Sequence, residues 1–314
     1  MRMKPWGNLA LLVVAAIGGC DTASRPDSAH STLDLHVRTL AEGIGERNID
    51  RYENLERAAK YIERQLSALG YSVSMQNYMV REKLVGNIEA ERHGSGSPGD
   101  IVLVGAHYDS AQGTPGADDN ATGVAGMLEI ARLLSKKTFS RTIRFVAFVN
   151  EEPPYFQTEQ MGSVVYAKYM RKRNESVVAM IALETIGYYS DEEGSQRYPS
   201  PLDKLYPSRG NFIAFVGNDL SKDLLKRCGH LFREETTFPV ECALLPDRLP
   251  GVGWSDHWSF WQEEYPAIMV TDTAPFRNPH YHKASDLPDK LDIEKTERVV
   301  AALARVVERL ADNK

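Results

Sequence analysis

An apolar run ends in two adjacent glutamates and two prolines, VNEEPPYF over residues 149–156. Like charges side by side in such a place are unfavourable unless something positive sits against them. Other apolar runs close in the same manner, with His107 and Asp109 in GAHYDS and Glu184 in LETIG. Asp118 and Asp119 follow in GADDNATG, and His280 and His282 in HYHKASD. Taken singly, a histidine at a strand end packs or hydrogen-bonds, and an acidic pair belongs to a surface loop. Taken together, imidazoles and carboxylates from separate elements are the donor set of a divalent metal that activates water, which needs oxygen and nitrogen ligands and one open position. Pro153 disfavours helical backbone at Glu152, so Glu151 and Glu152 are expected in an extended segment, projecting differently.

Elements that could bring these groups together follow from periodicity. STLDLHVRTLAEGIG and NLERAAKYIERQLSALG carry apolar residues at helical spacing, the second stopped by Gly70. YSVSMQNYMV and LVGNIEAER read as strands, GSGSPGD as a turn, and DIVLVGAHYD as a strand buried on both faces. The helix ATGVAGMLEIARLLSKK, the strand TIRFVAFVN, the helix MGSVVYAKYMRKR, the strand VVAMIALETIGYY and a closing amphipathic helix in DIEKTERVVAALARVVERLADNK complete the series. Strands alternating with helices predict an α/β fold: one three-layer α/β/α domain with a mostly parallel central sheet. In such sheets ligands bind beyond the carboxyl ends of the strands, where the polar residues collect.

Composition supports a globular domain, with 314 residues, 42% hydrophobic and 25% charged. A net charge of −6 and a pI near 5.8 exclude the basic footprint of a nucleic-acid binder. The start of the chain, MRMKPWGN followed by LALLVVAAIGGC, resembles a bacterial lipoprotein signal. The resemblance implies a signal peptide over 1–19, lipid on Cys20, a polar tether over 20–31 and a catalytic domain over 32–314. It also implies a chain anchored at the periplasmic face of the cell envelope, and Asp21 after the lipidated cysteine is a mark of retention at the inner membrane. Cys228 and Cys242 would then lie in an oxidising compartment, as a disulfide or as two separate thiols.

From Asn87 to Leu291 the motifs GAHYDS, PGADDNATG, NEEPP, the following GS, SDHWSF and YHKASDLPDKLD occur in one order. In that order they resemble the zinc exopeptidase family of the bacterial leucyl aminopeptidases, which also contains glutaminyl cyclase. The resemblance implies two zinc ions and a peptide substrate. His107 and Glu184 would serve one ion, Glu152 and His282 the other, and Asp119 would bridge them. Glu184 stands where the family often has aspartate. Glu151 would be the general base, Asp109 the carboxylate that orients His107, and Tyr281 a donor to the developing oxyanion. A cis peptide after Asp119 is a further implication. Asp256 and His257 match a family motif as supporting or pocket-wall residues, and the spacing to Asp286 favours His282 over His280 as ligand. The specificity pocket falls between Ser190 and Pro250, and Trp254, Trp258 and Trp261 read either as its aromatic wall or as core. Release of amino-terminal residues is the expected activity; carboxypeptidase, cyclase and non-catalytic binding roles are the alternatives.

Overall fold

Period-two and period-3.6 patterns become eight strands and seven α-helices in a computed structural model that describes residues 30–200 and 202–312. The signal segment, Cys20 and nearly all of the tether lie outside the described residues. Helices α1 (Thr32–Arg38) and α2 (Tyr52–Ala68) open the fold, followed by strands β1 (Ser72–Val80), β2 (Lys83–Arg92) and β3 (Ser97–His107). Next come α3 (Gly123–Leu134), β4 (Arg141–Phe148), α4 (Gly162–Lys172) and β5 (Ser176–Glu184). β6 (Ile213–Gly217), α5 (Lys222–Glu235), β7 (Val240–Leu244), α6 (His257–Gln262), β8 (Ala267–Thr271) and α7 (Ile293–Ala311) complete it. The sheet order is β1-β2-β4-β3-β5-β8-β6-β7, with β4, β3, β5 and β8 mutually parallel in its centre. The predicted α/β architecture is therefore the one observed. Among the described residues, no helix is long and apolar enough to cross a membrane.

Pleating splits the apolar run of β3 between two cores. Val102, Val104 and Ala106 pack in one with α3 and α7, while Ile101 and Leu103 pack in the other with α4 and α6. Two covered faces explain why this strand reads as continuous hydrophobic sequence. The GSGSPGD segment turns only in its first half: it enters β3 at Ser97, with a register shift before Ile101. Arg144 interrupts the apolar β4 because Glu91, its cross-strand partner, and Glu175 each lie 2.5 Å from its guanidinium.

Two close approaches hold the carboxyl end of β4. Asn87 accepts the Val149 N–H (3.1 Å) and donates to Gly162 O (2.8 Å), tying β4 to the start of α4. A Cβ on Gly162 would sit 2.3 Å from both Val149 O and Asn87 Oδ1, so only glycine fits. Gly162→Ala is expected to destabilise the fold by about 2 kcal/mol, read as a lower urea midpoint with an unchanged slope. A midpoint equal to the parent's would show that the backbone yields there.

Candidate metal centre

Because β4, β3 and β5 are adjacent and parallel, their carboxyl ends present His107, the Asn150–Glu152 turn and Glu184 side by side. Three residues here have positive φ without being glycine: Asn150 (59°), Thr185 (44°) and His282 (54°). The left-handed region is a marked outlier for a β-branched threonine. Thr185 is held there by its N–H donating to Asn120 Oδ1 (3.0 Å) and its hydroxyl donating to Glu184 O (2.7 Å). Asn120 Nδ2 donates to Leu183 O (2.8 Å), so one asparagine clips the backbone on both sides of Glu184. The Asp119–Asn120 peptide is cis.

His107 Nε2 lies 3.2 Å from Asp119 Oδ1 and 3.2 Å from Glu184 Oε2. His282 Nε2 lies 3.0 Å from Asp119 Oδ2 and 3.2 Å from Glu152 Oε2. Two three-donor groups thus share Asp119 through its two oxygens. Two ligands on one tetrahedral zinc, bound at about 2.0–2.1 Å, stand about 3.3 Å apart. The donor spacing matches that. Buried His107 Nε2, Asp119 Oδ1 and Glu152 Oε1 have no aligned hydrogen-bond partner, as expected of atoms whose partner is a metal ion. The residues present therefore fit one or two divalent ions.

Electrostatics agree. Burial works against a charge on His107, but Glu184 and Glu151 overcome it and hold its pKa well above the ordinary histidine value. His282 follows the same pattern: burial opposes, Asp119 and Glu152 prevail, and the pKa rises to about 10. Burial lifts Glu152 to about 8, with Asp119 adding to the rise and His282 opposing it. Asp119 alone falls below the usual carboxylate range, since the two imidazoles outweigh burial. Without metal, the cluster recruits protons to balance its buried carboxylates; dications would supply that charge instead.

Glu151 belongs to neither three-donor group, its Oε2 lying 3.9 Å from His107 Nε2. Burial pushes its carboxyl well above the ordinary range; His107 pulls it down, and Glu184, Glu152 and Asp256 push it up. Asp109 lies 3.4 Å from His107 Nδ1 and accepts the Glu151 and Glu152 N–H groups, both at 3.1 Å. It thereby ties the imidazole to the glutamate turn. Tyr281 stacks on His282 with ring centroids 3.9 Å apart, and burial keeps its phenol protonated.

Other sequence expectations separate. His280 stays outside the cluster and pairs with Ser285 Oγ at 2.9 Å. Asp256 and His257 are fully buried, His257 Nε2 lying 2.8 Å from Val252 O, and neither lines the cavity beside Glu184. Trp254 lines the cavity beside Glu184, whereas Trp261 is core and donates to Ala267 O (2.9 Å) and Trp258 packs against the second core. Cys228 and Cys242 are free thiols. Sequence reasoning overlooked Asn120 as a clip, Ser255, whose hydroxyl donates to Glu184 Oε2 (2.8 Å), and Asp286, which accepts the Asp118 and Asp119 N–H groups (2.9 and 3.2 Å). All three lie inside the motifs SDHWSF, PGADDNATG and YHKASDLPDKLD, but nothing in those strings shows which backbone groups their side chains bind.

Residues 87–307 match Peptidase family M28. The Escherichia coli K12 protein YfbL is 39% identical over 85% of this chain and 84% of its own length. A probable leucine aminopeptidase of Arthroderma benhamiae is 27% identical over 63% of this chain, which spans half the length of that fungal protein. A solved zinc aminopeptidase of Bacillus subtilis shares the fold with a TM-score of 0.72 at 16% identity, over 90% of this chain and 95% of its own. Matched across most of its length by the family and by a relative of similar size, the chain belongs to peptidase family M28, a family of metal-dependent peptidases.

Proposed function

We propose that this protein is a two-zinc aminopeptidase. The observation that supports it best is the pair of donor groups sharing Asp119: His107 and Glu184 would hold one ion, and Glu152 and His282 the other. Bound there, zinc would lower the pKa of water and polarise the scissile carbonyl. Glu151, free of both groups, takes the proton of the attacking water and returns it to the leaving amine. Burial favours its protonated form, while His107 favours the carboxylate and bound ions would add to that, so the group is suited to exchanging a proton. Tyr281 keeps its proton and donates a hydrogen bond to the developing oxyanion. Asp109 positions His107 and the glutamate turn together. The acidic rim of Glu151 and Glu184 suits a free amino terminus, and an apolar cavity beside Glu184 suits the side chain that follows it. The apolar LALLVVAAIGGC segment supports a lipid anchor at Cys20 facing the periplasm.

The test is mass spectrometry of a peptide library with free, blocked and glutamine amino termini, after incubation with the zinc-loaded protein. Stepwise loss of single residues from free amino termini is expected, with blocked peptides untouched. Carboxy-terminal trimming or pyroglutamate formation would replace the reaction while keeping the site. An untouched library would favour a binding role.

A further inference from the structure

A cavity of about 100 Å³ opens beside the candidate metal centre, and Glu184, Thr271, Ala214 and Glu241 all line it. These four form one row across the sheet: Glu184 pairs with Thr271, Thr271 with Ala214, and Ala214 with Glu241. Directly paired residues project from the same face, so the row is the floor of the cavity. Three strand spacings of about 4.8 Å place Glu241 about 14 Å from Glu184. Between them the floor is short side chains, and the walls are apolar, including Tyr198, Phe212 and Trp254.

Glu241 is out of character with this surface. It is half-buried on the edge strand β7, and among the described residues its carboxylate makes no hydrogen bond and no ion pair. Burial raises its pKa, with Arg233 opposing. Arg233 itself is engaged with Val240 O (3.4 Å) and Cys242 Sγ (3.5 Å), and Cys242 packs in the opposite core. Buried Arg277 donates to Gln196 Oε1 (2.7 Å) and Phe212 O (2.8 Å), feels the charge of Asp272, and lines no part of the cavity. The far end of an apolar slot therefore holds one carboxylate that feels the charge of Arg233 but has no ion pair of its own among the described residues.

We propose that this cavity selects amino-terminal lysine or arginine, with Glu241 as the residue that reads the charge. The proposal rests on the aminopeptidase reading and deepens it. An extended lysine spans about 7.5 Å from its α- to its ζ-nitrogen, and a charge-assisted hydrogen bond of about 2.8 Å at each end brings the reach to about 13 Å. That is close to the backbone separation of the two ends of the row. The alkyl stem lies against apolar walls while the ammonium meets Glu241. A leucine fills only the near part, and a bulky apolar side chain covers the Glu241 carboxylate without pairing it, so the same group attracts one class and rejects the other.

The experiment compares kcat/KM of the zinc-loaded full chain on lysyl, arginyl, norleucyl, leucyl and glutamyl amides. Norleucine matches the lysine stem without its charge, so the lysyl-to-norleucyl ratio isolates the charge and cancels any general loss of folding or metal. The parent is expected to favour lysyl by about tenfold or more, and Glu241→Gln to bring the ratio to about one, chiefly through the lysyl KM. Glu241→Lys is expected to favour the glutamyl amide over the lysyl. A parent that cleaves norleucyl as well as lysyl, or a ratio unmoved by Glu241→Gln, overturns the proposal and leaves the aminopeptidase reading standing. Cleavage of none of the amides by a protein that trims or cyclises other peptides overturns both.

Discussion

Glu151→Gln is expected to lower turnover of a cleavable peptide by about 10³-fold or more, close to 4 kcal/mol of transition-state stabilisation, with the fold and the zinc content unchanged. The substitution keeps shape and volume but removes the carboxylate proposed to accept the proton of the attacking water. Glu151 stands 3.9 Å from His107 Nε2, whereas the donors grouped with that histidine stand at 3.2 Å, so metal retention is not expected to depend on it. In the metal-free protein burial and the neighbouring carboxylates hold Glu151 in its protonated form, which glutamine matches in shape and neutrality. The metal-free variant should therefore melt no lower than the metal-free parent. Elemental analysis, thermal melting and single-turnover rates on one preparation separate the cases. A drop in zinc parallel to the drop in rate would make Glu151 a ligand, and a rate within tenfold of the parent would remove it from the proton path.

Asp119→Ala is expected to have the largest effect on metal. Asp119 Oδ1 faces His107 and Oδ2 faces His282, so its loss subtracts a donor from both groups at once. Zinc content should fall from two per chain to below one, while Glu152→Ala or Glu184→Ala should each release one ion and retain the other. Stability should follow by mass action. A ligand present at 1,000 times its Kd stabilises the native state by about 4 kcal/mol, which corresponds to a rise in melting temperature on the order of 10 °C for a domain of this size. The parent should show that rise on zinc addition, and Asp119→Ala should show almost none. Two ions retained by Asp119→Ala would refute the shared-donor reading. Equal loss from all three variants would mean that the two sites fill only together.

Three of the donors, His107, Glu152 and Glu184, were legible because each closes an apolar run, where a charged or imidazole side chain has no reason to be unless something binds it. Asp119 and His282 lie outside the strands and were singled out by the family motifs. Glu151 and Glu152 announce themselves at the end of β4 in this way, as does His107 at the end of β3. The central parallel sheet was equally legible, since a strand covered on both faces must be apolar throughout. The segment from 196 to 271 was not: β6, β7 and β8 are five residues each, too short for a period to declare itself. The clips around the site were hidden for a different reason. Asp286 accepts amides 167 and 168 residues away, and Asn120 reaches Leu183 and Thr185 across 63 and 65 residues.

Local chemistry, then, was determined by the sequence alone: which groups can bind metal, which strands carry them, and that the carboxyl ends of neighbouring parallel strands must present them together. Only the tertiary structure decided that Asp119 turns one oxygen to each histidine, that Glu151 stands apart from both groups, and that Glu184 and Glu241 share a row across four strands. Those outcomes depend on sheet order and register. Both are set by the summed packing of residues far apart in the chain, and no short window of sequence contains that sum.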